Sequence, residues 1–305
     1  MAEAARMLYR ITHTTRFEYE EPAYDSQNEL RMRPWNRDGQ RCVAFDLTVN
    51  QPSATLEYGD FFGNRAHSIC VSAPHRNLEI AASSIVELVA PGIPADSGVS
   101  FEEFLRGDTV RNNVYFEYLN PSRYIPFSDR LRKFFWMARP QEHEDVAAYV
   151  TRMVGYVRDQ FEYETTSTHV YSSLNDILDS GGGVCQDFAH LTIGILRLAG
   201  IPARYVSGYL APVSAGDALD LTAQASHAWL EAWMPGTGWC GFDPTHRCAV
   251  DGRHIGVAIG RDYADVPPLR GVYRGNGGQS VMTVDLRVET ARHGGSGPAS
   301  GQSQQ

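Results

Sequence analysis

The chain has 305 residues, of which 43% are hydrophobic and 21% charged, and its formal net charge is −9 at pH 7. This length suggests two domains, and the apolar fraction is sufficient for packed cores. The acidic balance, without a basic stripe, excludes the charge signature of a nucleic-acid-binding protein. The opening "MAEAARMLYRITHTTRF" lacks the apolar run of a signal peptide, and no stretch of about 18 consecutive apolar residues follows. We therefore expect a cytoplasmic protein with no nucleic-acid or membrane partner.

The cysteines are odd in number and scattered along the chain: Cys42, Cys70, Cys185, Cys240 and Cys248. This spacing does not predict a disulfide framework in a reducing compartment. CxxC pairs are absent, so a structural zinc site is not expected, although one group of possible ligands is close in sequence: Cys240, His246, Cys248 and His254. An acidic loop with calcium-binding spacing is also absent. We expect no metal and no cofactor.

Short alternating runs of apolar and polar residues extend from Tyr9 to Leu88, separated by turn-forming segments such as "PWNRDGQ" and "PHRN". They predict a small all-β, sandwich-like domain over residues 1–95. The segment "APGIPADSGVS" then interrupts the pattern. Residues 96–140 are predicted to connect this domain to the next.

The second domain, predicted over residues 141–290, begins with helices. In "EDVAAYVTRMVGYVRDQF" apolar residues recur every three or four positions and would line one core-facing side. A shorter helix is predicted in "SSLNDILDS", with Ser172 or Ser173 as the N-cap. A third helix is predicted from Cys185 to Gly200.

Strands rich in Val, Tyr and Trp follow in "ARYVSGYLAP", "SHAWLEAWMP" and "WCGFDPTH", and a last one is predicted in "QSVMTVDLRVET". Helices packed on an antiparallel sheet make an α+β fold, here preceded by the all-β domain. The tail 291–305 has too few apolar residues to order itself and is predicted to be disordered.

Cys185 follows three glycines and begins the third helix, in "SGGGVCQDFAHLTIGILRLAG". The thiolate rather than the thiol attacks carbonyls, and a helix N-terminus or a cationic histidine favours the thiolate. The glycines would let the backbone turn sharply and leave a substrate room, while free N–H groups of the first turn could bind an oxyanion. The alternative is a buried cysteine without a chemical role, which this segment alone favours.

A nucleophilic cysteine needs a base, and several histidines are candidates. His190 lies five residues along the helix, a rotation of about 140°, so it would point away from Cys185. His169, on a polar loop, is a weaker choice. His227 begins a strand and is placed to meet a helix N-terminus across the sheet face, and Asp243 in "GFDPTH" could fix its tautomer. Taken alone, each is also consistent with an ordinary strand histidine and a turn aspartate.

The three motifs together resemble those of the bacterial transglutaminase-like family. The segments "GGGVCQDFAHL", "SHAWLEAWMPGTGW" and "GFDPTH" occur in the family's order with compatible spacing, and the resemblance covers Val146 to Arg261. It implies a papain-like fold whose catalytic triad is Cys185 as nucleophile, His227 as general base and Asp243 as the residue that orients His227. The N-terminal β block resembles the small β domain that precedes this core in many bacterial members.

The oxyanion-binding group is marked less clearly. Papain-like enzymes usually add a side-chain donor, for which Gln186 and Trp229 are candidates, and the backbone N–H of Cys185 is the safer choice. Glu231 and Trp233 also resemble family positions, where packing of the strand is the expected role.

The implied reaction is attack of the Cys185 thiolate on an amide carbonyl, loss of the amine and formation of a thioester. The substrate would be a protein or peptide. Water as the second nucleophile makes the enzyme a cysteine peptidase or amidase, which the resemblance favours, whereas an amine makes it a crosslinking acyltransferase. Selecting an amine over water requires a shielded channel, which a sequence does not reveal.

Two further hypotheses remain. An amine acetyltransferase shares the order of Cys, His and Asp, but the phosphate-binding groove that acyl-CoA would require has no signal in the sequence. A non-catalytic scaffold of the same fold would be expected to have lost a triad residue, and all three positions are filled.

Overall fold

The protein is described by a computed structural model, which has the predicted α+β architecture: an all-β region followed by helices packed on an antiparallel sheet. No helix among the described residues combines the length and apolar character needed to cross a lipid bilayer. The structure describes residues 6–37, 39–90, 96–107, 113–164, 174–212, 226–276 and 278–291.

The first sheet is organised around one long strand, β1 (Arg6–Leu30). Four strands follow it: β2 (Gln40–Val49), β3 (Ala54–Gly59), β4 (Arg65–Val71) and β5 (His75–Val89). The beginning of β1 pairs with β5, which pairs with β2, whereas the end of β1 pairs with β4, which pairs with β3. Buried residues of both halves, such as Leu30, Ile69 and Ile80, share one cluster, so the two halves pack together.

The last two strands return to this first sheet. Strands β13 (Leu269–Gly275) and β14 (Ser280–Thr290) both pair antiparallel with β1, on the edge that β4 and β5 leave open. Both strands lie within residues 141–290, the range predicted for the second domain. Their backbone groups instead complete the hydrogen bonding of the 25-residue β1.

Three of the helices between the two sheets begin at side-chain N-caps. Asp145 accepts hydrogen bonds from the Ala147 and Ala148 N–H groups at the start of α4, and Ser100 and Ser128 cap α1 and α3. The bounds are α1 (Phe101–Arg106), α2 (Phe116–Leu119), α3 (Asp129–Ala138), α4 (Val146–Gln160) and α5 (Leu174–Ser180), with single-turn 3₁₀ segments at Asn113–Tyr115 and Tyr263–Asp265. The predicted N-caps Ser172 and Ser173 lie outside the described residues, as does the tail after Ala291.

The second sheet carries the predicted site. Its strands are β8 (Ala203–Leu210), β9 (His227–Met234), β10 (Gly238–Asp243), β11 (Cys248–Ala249) and β12 (His254–Gly260), in the order β11-β10-β9-β8-β12. The predicted third helix is α6 (Cys185–Leu198), preceded by the short parallel pair β6 (Glu162–Tyr163) and β7 (Gly182–Gly183). Ala228, Leu230 and Ala232 face α6 in the main core, as period-two alternation requires.

The first domain packs on the opposite face of this sheet and its β12 edge. The Gln40 side chain donates to the Gly256 carbonyl and accepts from the Gly256 N–H, each at 2.8 Å. The Asn64 side chain makes the same paired contact with Ile259, at 2.7 and 2.8 Å. These bonds hold the edge strand β12 in place through its backbone groups.

Candidate active site

Cys185 is the first residue of α6, as predicted, and its side chain is half-buried. The turn into the helix depends on the preceding glycines. Gly181 has φ of +77°, a conformation that favours glycine, and a Cβ on Gly183 would lie 2.9 Å from the Asp187 side chain. That Asp187 carboxylate accepts a 2.9 Å hydrogen bond from the Val184 N–H. Local backbone chemistry therefore places the thiol at a helix N-terminus.

His227 is the first residue of β9, and its imidazole lies between the other two predicted triad members. Its Nε2 donates to Asp243 Oδ2 at 2.8 Å, which leaves Nδ1 for the hydrogen bond with the Cys185 thiol. Burial lowers the pKa of His227, but the hydrogen bonds and charges of Asp243 and Cys185 outweigh it and raise the pKa to about 10. The arrangement therefore favours an imidazolium beside the sulfur.

The contact occurs at the end of the strand rather than across the sheet face. The α6 helix packs against the face formed by Ala228 and Leu230, whereas His227 points to the same face as Trp229. The predicted contact of a strand histidine with the N-terminus of α6 is present, at the end of the strand. His227 reaches Cys185 because it is the terminal residue of β9.

Asp243 is fully buried at the end of β10 and is the most heavily hydrogen-bonded group of the site. Its Oδ1 accepts from the backbone N–H groups of Thr245 and His246. Its Oδ2 lies 2.8 Å from His227 Nε2, 2.7 Å from His246 Nδ1 and 3.0 Å from His254 Nε2. Burial alone would raise the pKa of Asp243, but these imidazole hydrogen bonds hold it well below its ordinary value. The carboxylate is ionised.

His246 and His254 are members of this site that the sequence did not predict. They were noted only as possible zinc ligands, together with Cys240 and Cys248. The signal in the sequence was their position around the predicted Asp243, in "DPTHRCAVDGRH". That signal becomes clear only when β12 is known to begin at the edge of the sheet where β10 ends.

The possible metal ligands do not converge as a set of four. Two groups of three lie close together, one of His227, Asp243 and His246 and one of Asp243, Cys248 and His254, while Cys240 packs in the main core. Burial, with Asp243 and Asp251, raises the pKa of the Cys248 thiol to about 11.

His190, which was predicted to point away from Cys185, is a packing residue in the structure. Its ring is fully buried, lies against Tyr124 and Tyr205, and its Nε2 accepts a hydrogen bond from the Tyr263 N–H at 3.1 Å. Burial lowers the pKa of His190 to about 4, so the ring is neutral. The weaker candidate His169 lies outside the described residues.

The two oxyanion candidates differ in position. Gln186 is the second residue of α6 and is buried. Trp229 belongs to a separate cluster with Val206 and Ile259 on the face away from α6, and its ring lies edge-on to His254. The backbone N–H of Cys185 lies in the first turn of α6. It is close to the sulfur because both belong to the same residue.

Glu231 and Trp233, further along β9, lie away from the triad. The Glu231 carboxylate accepts hydrogen bonds from Arg204. The Trp233 ring packs against Tyr115 and Trp239. Both serve the packing of the strand.

The chain matches two family descriptions, in the order of its two domains. Residues 9–87 match the bacterial transglutaminase-like N-terminal region, and residues 137–244 match the transglutaminase-like superfamily. The second match ends directly after Asp243 and includes Cys185 and His227.

Relatives and one solved structure are similar over nearly the whole chain. An uncharacterised protein of Mycobacterium leprae is 34% identical over 283 residues, covering 93% of this chain and 98% of its own length. A Mycobacterium tuberculosis protein is 36% identical over 298 residues, covering 92% of each. The crystal structure of a proposed cysteine protease from Cytophaga hutchinsonii superimposes with a TM-score of 0.76 at 22% identity, over 95% of this chain and 93% of its own.

A more local match is to a named enzyme. The protein-glutamine gamma-glutamyltransferase of Pseudomonas aeruginosa is 40% identical over 110 residues, which are 32% of this chain and 16% of that protein.

Proposed function

Because this chain belongs to the bacterial transglutaminase-like family, we propose that it is a thiol enzyme that cleaves amide bonds of proteins or peptides through a thioester on Cys185. The observation that carries the proposal is the shared imidazole: His227 contacts Asp243 through one nitrogen and the Cys185 thiol through the other. This is the geometry that nucleophilic catalysis by a cysteine requires.

In the first half-reaction the Cys185 sulfur attacks the amide carbonyl, and its electron pair forms the C–S bond. The C–N bond then breaks, and the His227 imidazolium gives its Nδ1 proton to the leaving nitrogen, so that the amine departs neutral. The buried Asp243 carboxylate stabilises the imidazolium before this transfer and holds the ring in place. N–H groups of the first turn of α6 are the proposed donors to the tetrahedral oxyanion.

In the second half-reaction neutral His227 accepts a proton from water, which attacks the thioester and releases the acid and the thiol. Hydrolysis is our first proposal because the half-buried Cys185 is not sealed from solvent among the described residues. An amine in place of water would instead transfer the acyl group. The match to a protein named a glutamyltransferase, which covers part of this chain, makes amine transfer the second candidate.

The test is mass spectrometry of a peptide library incubated with the enzyme, with and without a primary amine such as methylamine. Hydrolysis of the backbone predicts new termini, and hydrolysis of glutamine side chains predicts a deamidation shift. Amine incorporation in place of these products would replace the first proposal by the second. Cys185→Ala is the matched control, and turnover that survives in this variant would refute both.

A further inference from the structure

Three imidazoles contact the Asp243 carboxylate, and the proposed mechanism uses only one of them. His227 accounts for one of the three imidazole contacts at Oδ2, and the others come from His246 and His254. These two differ in their surroundings. The His254 side chain is fully buried, whereas that of His246 is 41% exposed. A buried imidazole has no water to replace a lost partner, so its contacts require an explanation.

His254 is held from its far side by Asp251. The His254 Nδ1 lies 3.0 Å from Asp251 Oδ1 and 3.2 Å from the Asp251 backbone nitrogen, so Asp251 can hold the ring in either protonation state. Asp251 is itself fixed by Arg253, whose Nε donates to its second carboxylate oxygen at 2.9 Å. The fold thus builds a continuous chain from Arg253 through Asp251 and His254 to Asp243.

The segment Asp251–His254, which supplies three members of this chain, contacts both domains. His254 is the first residue of β12, where it pairs with Leu210 of β8, and the carbonyl of Gly252 accepts a hydrogen bond from Tyr9 of the first domain. The Trp229 ring lies against His254 with centroids 5.3 Å apart. The imidazole therefore has little freedom to turn away from Asp243.

The position of the Asp243 carboxylate matters because its direction sets that of His227. Backbone N–H groups fix Oδ1, and the imidazoles fix Oδ2. Without the donor from His254, the remaining buried contact to Oδ2 would be the catalytic imidazole itself. If the His227 imidazole alone held Oδ2, the Asp243 carboxylate could not hold that imidazole in a fixed orientation.

We propose that His254, held by Asp251, is a positioning residue that fixes the Asp243 carboxylate and thereby orients His227 toward Cys185. This inference rests on the proposed function and assigns a part of the same site that the triad does not include. The charged and titratable groups that face His254 are Asp243, Asp251, His227 and Cys248.

The test uses a readout that needs no substrate: the rate of Cys185 alkylation by iodoacetamide as a function of pH. His254→Leu removes the donor and keeps an apolar side chain in the pocket. If Asp243 is no longer fixed, the imidazolium beside the Cys185 sulfur loses support, and alkylation that depends on this imidazolium becomes slower. We expect alkylation at pH 6 to fall about tenfold, whereas the rate at pH 9.5 stays within about twofold of wild type.

Conservative and matched variants separate positioning from folding. His254→Gln, whose amide can still donate to Asp243, should recover most of the pH 6 rate. His246→Gln should lose less than His254→Leu, because water can reach the exposed ring. His75→Leu removes another buried imidazole, bonded to Ser26 in the first sheet, and should leave the alkylation profile unchanged despite any loss of stability.

The outcomes distinguish the two proposals. If wild type shows no selective alkylation of Cys185, the proposed function fails. If wild type is selective but His254→Leu keeps its profile and turnover, the positioning role is overturned and His254 serves folding alone. Should His254→Leu not fold by circular dichroism, Asp251→Asn decides in its place, with the same expected fall in alkylation at pH 6.

Discussion

The His227 imidazole donates from Nε2 to the buried Asp243 carboxylate at 2.8 Å and meets the Cys185 thiol at its other nitrogen. These three residues are separated in sequence and come together because α6, β9 and β10 each place one of them at an element terminus. The local structure at each terminus is therefore part of the chemistry.

Asp243→Asn should reduce turnover strongly while retaining the size of the side chain. The amide carries no charge to stabilise the His227 imidazolium, and its NH₂ group cannot accept from the imidazoles. We expect kcat to fall by about 10³ or more, as when the aspartate of a related triad is neutralised. The fall in kcat is measured by peptide-cleavage kinetics, on variant protein whose circular dichroism spectrum is native. A loss of less than tenfold would argue that Asp243 does not orient the base.

The raised pKa of His227 predicts how stability depends on pH. Folding lifts the pKa of His227 from about 6.5 to about 10, so the protonated ring stabilises the fold fully below pH 6.5. This contribution is lost as pH rises toward 10. We expect the Tm of wild type to fall more between pH 7 and pH 10 than that of His227→Gln. Equal falls in the two proteins, by differential scanning calorimetry, would contradict the raised pKa.

Cysteine labelling should be selective at neutral pH. Burial, with the charges of Asp243 and Asp251, raises the pKa of Cys248 to about 11, and burial also raises the pKa values of Cys42 and Cys240. These thiols remain protonated at pH 7, whereas Cys185 lies beside an imidazolium. Limited iodoacetamide treatment followed by peptide mapping should modify Cys185 first.

The control for that labelling is Cys248→Ser. This substitution removes a thiol that lies beside Asp243 and His254. Its labelling rate at Cys185 should equal that of wild type. Faster modification of any other cysteine in wild type would move the nucleophile away from Cys185.

Gly208 is needed for the packing beneath His227. It pairs with His227 across β8 and β9, and a Cβ there would lie 2.5 Å from the Trp229 ring and 2.3 Å from the Ile255 carbonyl oxygen. Gly208→Ala should therefore lower the free energy of unfolding by about 2 kcal/mol, as overpacking of a core does. Urea denaturation measures the loss.

Gly155, inside α4, is the matched control for Gly208. A Cβ there meets nothing within 4 Å, so Gly155→Ala should stabilise the protein by about 0.5 to 1 kcal/mol. Equal effects of the two substitutions would contradict the close packing at Gly208.

The sequence predicted the elements that carry the site. Helical spacing identified α6 from its first residue, and alternation identified β9 from His227 onward, because both patterns are local. The residues alone did not favour a triad, since a buried cysteine and a strand histidine are common. The order of the three motifs in a known family made the assignment, which remains a prediction about roles.

What the sequence could not predict depends on pairing between distant strands. Strands β13 and β14 pair with β1, from which most of the chain separates them in sequence. No local sequence pattern predicts that β1 is their partner. His254 contacts Asp243 only because β12 pairs with β8 at the edge of the second sheet. In the sequence His254 was only one of four possible metal ligands at a zinc site that was not expected, whereas the structure shows its hydrogen bonds to two carboxylates.

The most direct test of the central claim is to trap the thioester. Enzyme mixed with a reactive peptide substrate is quenched in acid within its first turnovers, and the intact mass and the Cys185 peptide are measured. The account predicts an added mass equal to the acyl part of the substrate on Cys185, released by hydroxylamine and absent from Cys185→Ala. An acyl group on another residue, or turnover in Cys185→Ala, would contradict the account.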